Sequence, residues 1–235
     1  MAHLYFPGGS GSVGSGGGGV GSGGTVWSFE DAGDLSDFTF KRCQADVDAS
    51  SYVSRVDTSA SVGTYSLEDD TDYIDEIGII TGDTDTTFTL DIDFQFNSGE
   101  DQYAGLFYGS YRDESDDLFD GVCLAVNNNS EVLYLCSYLT DGNPDIYTPD
   151  DTYDFSGDSL SDGSWYNLHL DVAHTGTSCV VSGSIRSQNR VTTYGSVSNT
   201  FTSDGSWTTD KGLYMYNVGE PTTKQRVDYL EKDAS

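Results

Sequence analysis

The sequence predicts an all-β fold, a two-sheet antiparallel jelly-roll sandwich with an N-terminal glycine-rich arm. Three observations carry that expectation. Apolar and polar residues alternate along many short stretches. Clusters of Asp, Gly, Asn and Ser punctuate them, and no helical period lasts beyond two turns. Side chains of a strand point alternately to opposite faces. Regular short strands separated by turn residues define sandwiches and jelly rolls.

The elements follow in order. Residues 1–7 are a short apolar-aromatic tip, and residues 8–24 are nearly all Gly and Ser, the composition of a flexible linker. The tract lacks a strict G-X-Y period and any internal proline, which excludes collagen. Residues 1–24 are therefore read as an arm for anchoring or assembly, and 25–235 as one sandwich domain. The clearest strands are Thr87–Phe96, Ala104–Tyr111, Val122–Asn127 and Val132–Leu139, then Trp165–Val172, Ser178–Ile185, Lys211–Tyr216 and Arg226–Glu231. Proline stays outside them, as ladder hydrogen bonding demands.

Alternation assigns faces. Phe88, Leu90, Ile92, Phe94 and Phe96 share one side of their strand, and Tyr166, Leu168, Leu170 and Val172 share one side of theirs. The turn cluster Asn127–Glu131 joins two strands as a hairpin that sets Cys123 opposite Cys136. Directly opposed residues are near enough for a cross-strand disulfide; two thiols are the alternative, and Cys43 and Cys179 have no evident partner. The opposite, outer face is expected to carry Asp91, Asp93, Gln95, Tyr134, Tyr138, Asn167, His169 and Asp171. Carboxylates, amides and aromatic rings together suit sugar recognition: polar groups fix hydroxyls and rings cover apolar ring faces. The plainer reading is a solvated sheet face.

Composition narrows the function classes. The chain has 39 acidic and 10 basic residues in 235, a formal net charge of -29. Self-repulsion of that size opposes compaction in dilute buffer, whereas at about 1 M salt the Debye length falls to roughly 3 Å. With 13% aromatic residues and clean alternation, the acids mark adaptation to high salt and not disorder. So acidic a surface argues against nucleic acid. The start of the chain has no positively charged region and no long apolar run, and no stretch is long and apolar enough to span a bilayer.

Four segments in order carry a resemblance: Trp27–Phe38 (WSFEDAGDLSDF), Ser61–Glu68 (SVGTYSLE), Gly163–Asp171 (GSWYNLHLD), and Gly212–Tyr216 with Arg226–Glu231. They resemble the concanavalin A-like lectin and glucanase domains, in particular the laminin-G-like jelly rolls of haloarchaeal surface proteins. The resemblance spans about residues 26–232. It implies two stacked antiparallel sheets with carbohydrate binding on a concave face or at loops. Some members hydrolyse glycans through a strand of the form E-x-D-x-x-E. The nearest strand here, Leu90–Gln95 (LDIDFQ), has two aspartates and neither glutamate, which argues against catalysis.

Glu30, Asp31 and Asp228 are candidate ligands for a structural Ca²⁺, because first and last strands of jelly rolls are often neighbours and Ca²⁺ takes six to eight oxygen ligands; plain acidic loops are the alternative. The acidic runs Asp113–Asp117 and Asp141–Asp145 are further candidates. His3, His169 and His174 have no metal-binding spacing. The expected role is a virion surface protein, a capsid decoration, turret or tail-fibre subunit, whose lectin-like domain attaches to host surface glycans in high salt. The arm would join other virion structural proteins and identical subunits in a homo-oligomer. The alternatives are a purely structural shell or cell-surface protein of a halophile and, below that, a glycoside hydrolase.

Overall fold

The computed structural model describes residues 24–42, 53–57, 59–69, 75–111, 119–137, 149–203, 207, 209–217 and 224–234. The chain opens with β1 (Thr25–Trp27), a 3-10 turn (Ala32–Asp37), β2 (Phe38–Arg42), β3 (Val53–Val56), β4 (Ser66–Asp69) and β5 (Asp75–Ile80). Then come β6 (Thr87–Gln95), β7 (Gln102–Tyr111), β8 (Phe119–Asn127), β9 (Val132–Ser137) and β10 (Asp151–Asp154). The last are β11 (Trp165–Thr175), β12 (Ser178–Ser187), β13 (Thr193–Thr202), β14 (Asp210–Asn217) and β15 (Arg226–Ala234).

These strands form two antiparallel sheets. Sheet A runs β13-β12-β11-β6-β15-β4-β3, with β1 also pairing β15, and sheet B runs β10-β9-β8-β7-β14-β5-β2. The expected sandwich is therefore observed. Apart from Gly24, the arm lies outside the described residues.

The alternation read from sequence fixes what lies between the sheets. Phe88, Leu90, Ile92 and Phe94 on β6 are fully buried, and so are Leu168, Leu170 and Val172 on β11. Ala104, Leu106, Leu124, Val126, Leu133 and Leu135 answer them from sheet B. At about 25 cal/mol per Å² of apolar surface removed from water, such a layer is the main drive for folding. Two glycines let the sheets approach closely. A Cβ on Gly183 would stand 2.3 Å from the Leu124 side chain, and one on Gly195 would stand 2.0 Å from the Tyr153 ring.

The Asn127 turn closes the β8–β9 hairpin as expected: the Asn127 side-chain oxygen accepts the backbone N–H groups of Asn129 and Ser130, both at 2.8 Å. The register places Cys123 opposite Cys136. Cys123 and Cys136 are both fully buried, as is Cys179.

Candidate functional site

The outer face of sheet A carries a polar cluster where β12, β11, β6 and β15 lie side by side. Successive partners are Arg186 opposite Asn167, Asn167 opposite Asp93, His169 opposite Asp91, and Glu231 opposite Asp91. Cross-strand neighbours on one face lie within about 5.5 Å, so the strand registers bring these groups together.

Both oxygens of Asp91 are engaged. One takes an N–H of Arg186, and the other lies 3.1 Å from His169 Nδ1. Burial pulls this carboxyl up, but the hydrogen bond and charge of His169, with Arg186 and Arg190, outweigh it and hold Asp91 below the usual carboxylate range. Asp93 is only 1% exposed. It accepts from Asn167 Nδ2 at 3.1 Å and from the Ser61 hydroxyl. Burial is the larger influence there and raises it, despite those hydrogen bonds. The Asn167 side-chain oxygen accepts from Arg186 Nε at 2.9 Å, so the amide links the two aspartate systems.

A strap of residues 59–65 lies across this face. Ser61 N and Val62 N donate to Asp228 Oδ2 at 2.8 and 2.9 Å, and Tyr229 N donates to Oδ1 at 2.7 Å. Burial lifts the Asp228 carboxyl to about 7 against these hydrogen bonds. Gln188 donates to Ser61 O, and the Ser59 hydroxyl accepts from Gln95 and Trp165.

Arg190, in the β12–β13 hairpin, lies beside the cluster and is 31% exposed at its side chain. Its Nε lies 4.0 Å from Asp91, and its Nη2 lies 3.8 Å from Asp93 and 3.7 Å from Glu231. Those separations give charge attraction without hydrogen bonds, and both buried nitrogens are without an acceptor. The guanidinium sits 5.1 Å from the centre of the Tyr229 ring. Arg190 and Tyr229 both adopt left-handed backbone, with φ of 60° and 49°. Bulky residues rarely take that conformation, and such strain concentrates at ligand clamps and active sites.

Five of the eight residues expected on one face converge here: Asp91, Asp93, Gln95, Asn167 and His169. They are not a solvated face, because hydrogen bonds among themselves and to the strap hold most of them under cover. Asp171 is exposed on the same face, one step along β11 from His169. Tyr134 is corrected: it lies on the outer face of sheet B, packed with Tyr103, Phe107, Cys123, Ala125 and Tyr214. Alternation specifies a face of a strand, not which sheet the strand joins. Tyr138 lies outside the described residues.

The expected calcium ligands are also separated by role. Glu30 accepts the backbone N–H groups of Thr64 and Tyr65 at 2.7 and 2.8 Å. Asp31 caps the 3-10 turn through Gly33 N at 2.8 Å, and Asp228 holds the strap. Among the described residues no three His, Cys, Asp or Glu side chains are grouped to hold a metal. The runs 113–117 and 141–145 lie outside the described residues.

Periodicity did not single out Arg186, Arg190, Gln188, Ser61 or Tyr229. One signal was available. With 10 basic residues among 235, an arginine just beyond a strand end is a scarce cation set beside buried acids.

No protein-family profile matches the chain, and no curated protein sequence is significantly similar. Among solved structures, the sandwich is similar to those of legume-lectin and concanavalin A-like domains. Winged bean acidic lectin, complexed with methyl-α-D-galactose, is 9% identical with a TM-score of 0.53, covering 90% of this chain and 98% of that one. The VIP36 exoplasmic/lumenal domain, in a form bound to Ca²⁺ and Man3GlcNAc, is 9% identical with a TM-score of 0.52, covering 85% of this chain and 84% of that one. Arcelin-5, a lectin-like defence protein from Phaseolus vulgaris, is 10% identical with a TM-score of 0.50, covering 85% and 92%. At these identities the likeness establishes the fold, a lectin-like β-sandwich.

Proposed function

We propose that this domain binds a neutral, polyhydroxylated glycan at the Arg190 cluster, on the surface of a virion or other extracellular assembly in concentrated salt. The observation that carries the reading is Arg190 itself. Two buried donors without acceptors sit within 4.0 Å of carboxylates on Asp91, Asp93 and Glu231. Rotation of the 31% exposed Arg190 side chain would bring its buried Nε and Nη2 to a vicinal diol, which supplies the acceptors they lack and the donors the carboxylates take. The Tyr229 ring offers an apolar wall for a sugar face. The lectin-like fold supports this class of ligand.

Binding fits the site better than hydrolysis. Both oxygens of Asp91 and of Asp93 already accept hydrogen bonds. Glycoside hydrolysis needs one carboxyl free to attack or activate water and another to protonate the leaving oxygen. The charge of -29 supports a concentrated-salt setting, and the Gly-Ser composition of residues 8–24 supports an arm joining the domain to a larger particle.

A glycan array in molar KCl tests the proposal. The full chain is expected to retain one class of neutral glycan, and Arg190→Gln to lose it without loss of fold. An array on which the native chain retains nothing, or on which both chains retain the same glycans, contradicts the proposal.

A further inference from the structure

The acids are not spread evenly. All 39 fall between Glu30 and Asp171 or between Asp204 and Asp233. The 32 residues from Val172 to Ser203 contain none. That stretch folds as the end of β11, all of β12 and all of β13, the outermost ribbon of sheet A. Its outward rungs are Val180 opposite Thr200, Ser182 opposite Ser198, and Ser184 opposite Ser196. Thr200, Ser198 and Ser196 are exposed, and Val180 is 51% exposed. Val191, at the tip of the same hairpin, is 82% exposed. Asp171, opposite Ser182 on β11, marks the border of the face.

From this distribution we infer that the outer face of β12 and β13 packs against the same face of a second copy of this chain. Each copy carries a net charge of -29, so contact through an acid-bearing surface sets like charges together. Contact through the β12–β13 face does not. The small hydroxyl side chains allow close approach, and matching a patch with itself makes a two-fold, closed pair. In a folded domain of net charge -29, an acid-free face with an exposed valine is explained by being covered.

The contact is face to face and not edge to edge. The outward N–H of Ser198 is taken by Asp151 Oδ2 and that of Thr200 by Asn199 Oδ1, both at 2.8 Å. The β13 edge is capped by its own chain and cannot accept another strand there. The pairing face adjoins the ligand site, because Arg186 stands on the same face of β12 and Arg190 precedes Val191 in the hairpin.

Sedimentation velocity on the full chain in molar KCl tests the inference. The native chain is expected at twice the 25.3 kDa chain mass. Val180→Asp and Ser198→Asp, each placing a carboxylate in the contact, are expected at the single-chain mass with a native circular dichroism spectrum. Thr39→Asp, exposed on β2 in the other sheet, adds the same charge and is expected to stay paired. A native chain of single mass, a Val180→Asp or Ser198→Asp chain that stays paired, or a Thr39→Asp chain that separates overturns the inference.

Discussion

Lys211 is fully buried at the end of the core, with Asp83 2.5 Å from its ammonium nitrogen. Asp83 also meets Lys232 Nζ at 2.6 Å. Burial raises the Asp83 carboxyl, but the two lysines outweigh it and hold it below its ordinary 3.8. A carboxyl depressed in the folded state contributes stability that is fully present above pH 3.8. That contribution disappears as pH falls through the lower folded-state value. Asp83→Asn strands a buried ammonium, and breaking such a pair costs about 3–5 kcal/mol. Urea denaturation in molar KCl is expected to show that loss near neutral pH and a narrowing gap between the two chains in acid. Equal stability at neutral pH contradicts the assignment.

At the scale of elements, β6 and β11 were legible because each alternates without interruption and its inward side chains are large and apolar. β13 was not singled out: outside Tyr194, Val197 and Phe201 it is Gly, Ser, Thr and Asn, a composition shared with turns. Which strands join which sheet is not legible either, since period-two alternation is the same in both, and alternation alone does not separate Tyr134 from Asp91. The cover over Asp93 depends on a strap more than 30 residues away in sequence, held by Asp228 near the far end of the chain. Such contacts leave no local pattern. Sheet spacing is set at single glycines. Gly183→Ala drives a methyl into Leu124, and overpacking of this kind costs about 1–3 kcal/mol. Thermal melting is expected to fall accordingly. An unchanged melting temperature means the two sheets are not in tight contact at this point.

At the scale of the molecule, scarce cations are spent internally. Arg55 donates to Phe29 O at 2.5 Å and lies over Tyr65, Arg226 meets Glu68 at 2.6 Å, and Arg186 is held by Asp91 and Asn167. Lys211 and Lys232 are paired to Asp83, so these five cations among the described residues are engaged within the fold of a chain whose net charge is -29. Stability is therefore expected to rise steeply as KCl increases toward about 1 M, where the Debye length shrinks to roughly 3 Å. A melting temperature flat across that range contradicts a salt-dependent fold.

The most direct test of the ligand site is calorimetric titration of the array-selected oligosaccharide into the native chain, Arg190→Gln and Tyr134→Ala in molar KCl. The account predicts at least about tenfold weaker binding for Arg190→Gln, the loss of roughly 1.4 kcal/mol, and native affinity for Tyr134→Ala. Native affinity in Arg190→Gln with binding lost in Tyr134→Ala moves the site to the other sheet and contradicts the account.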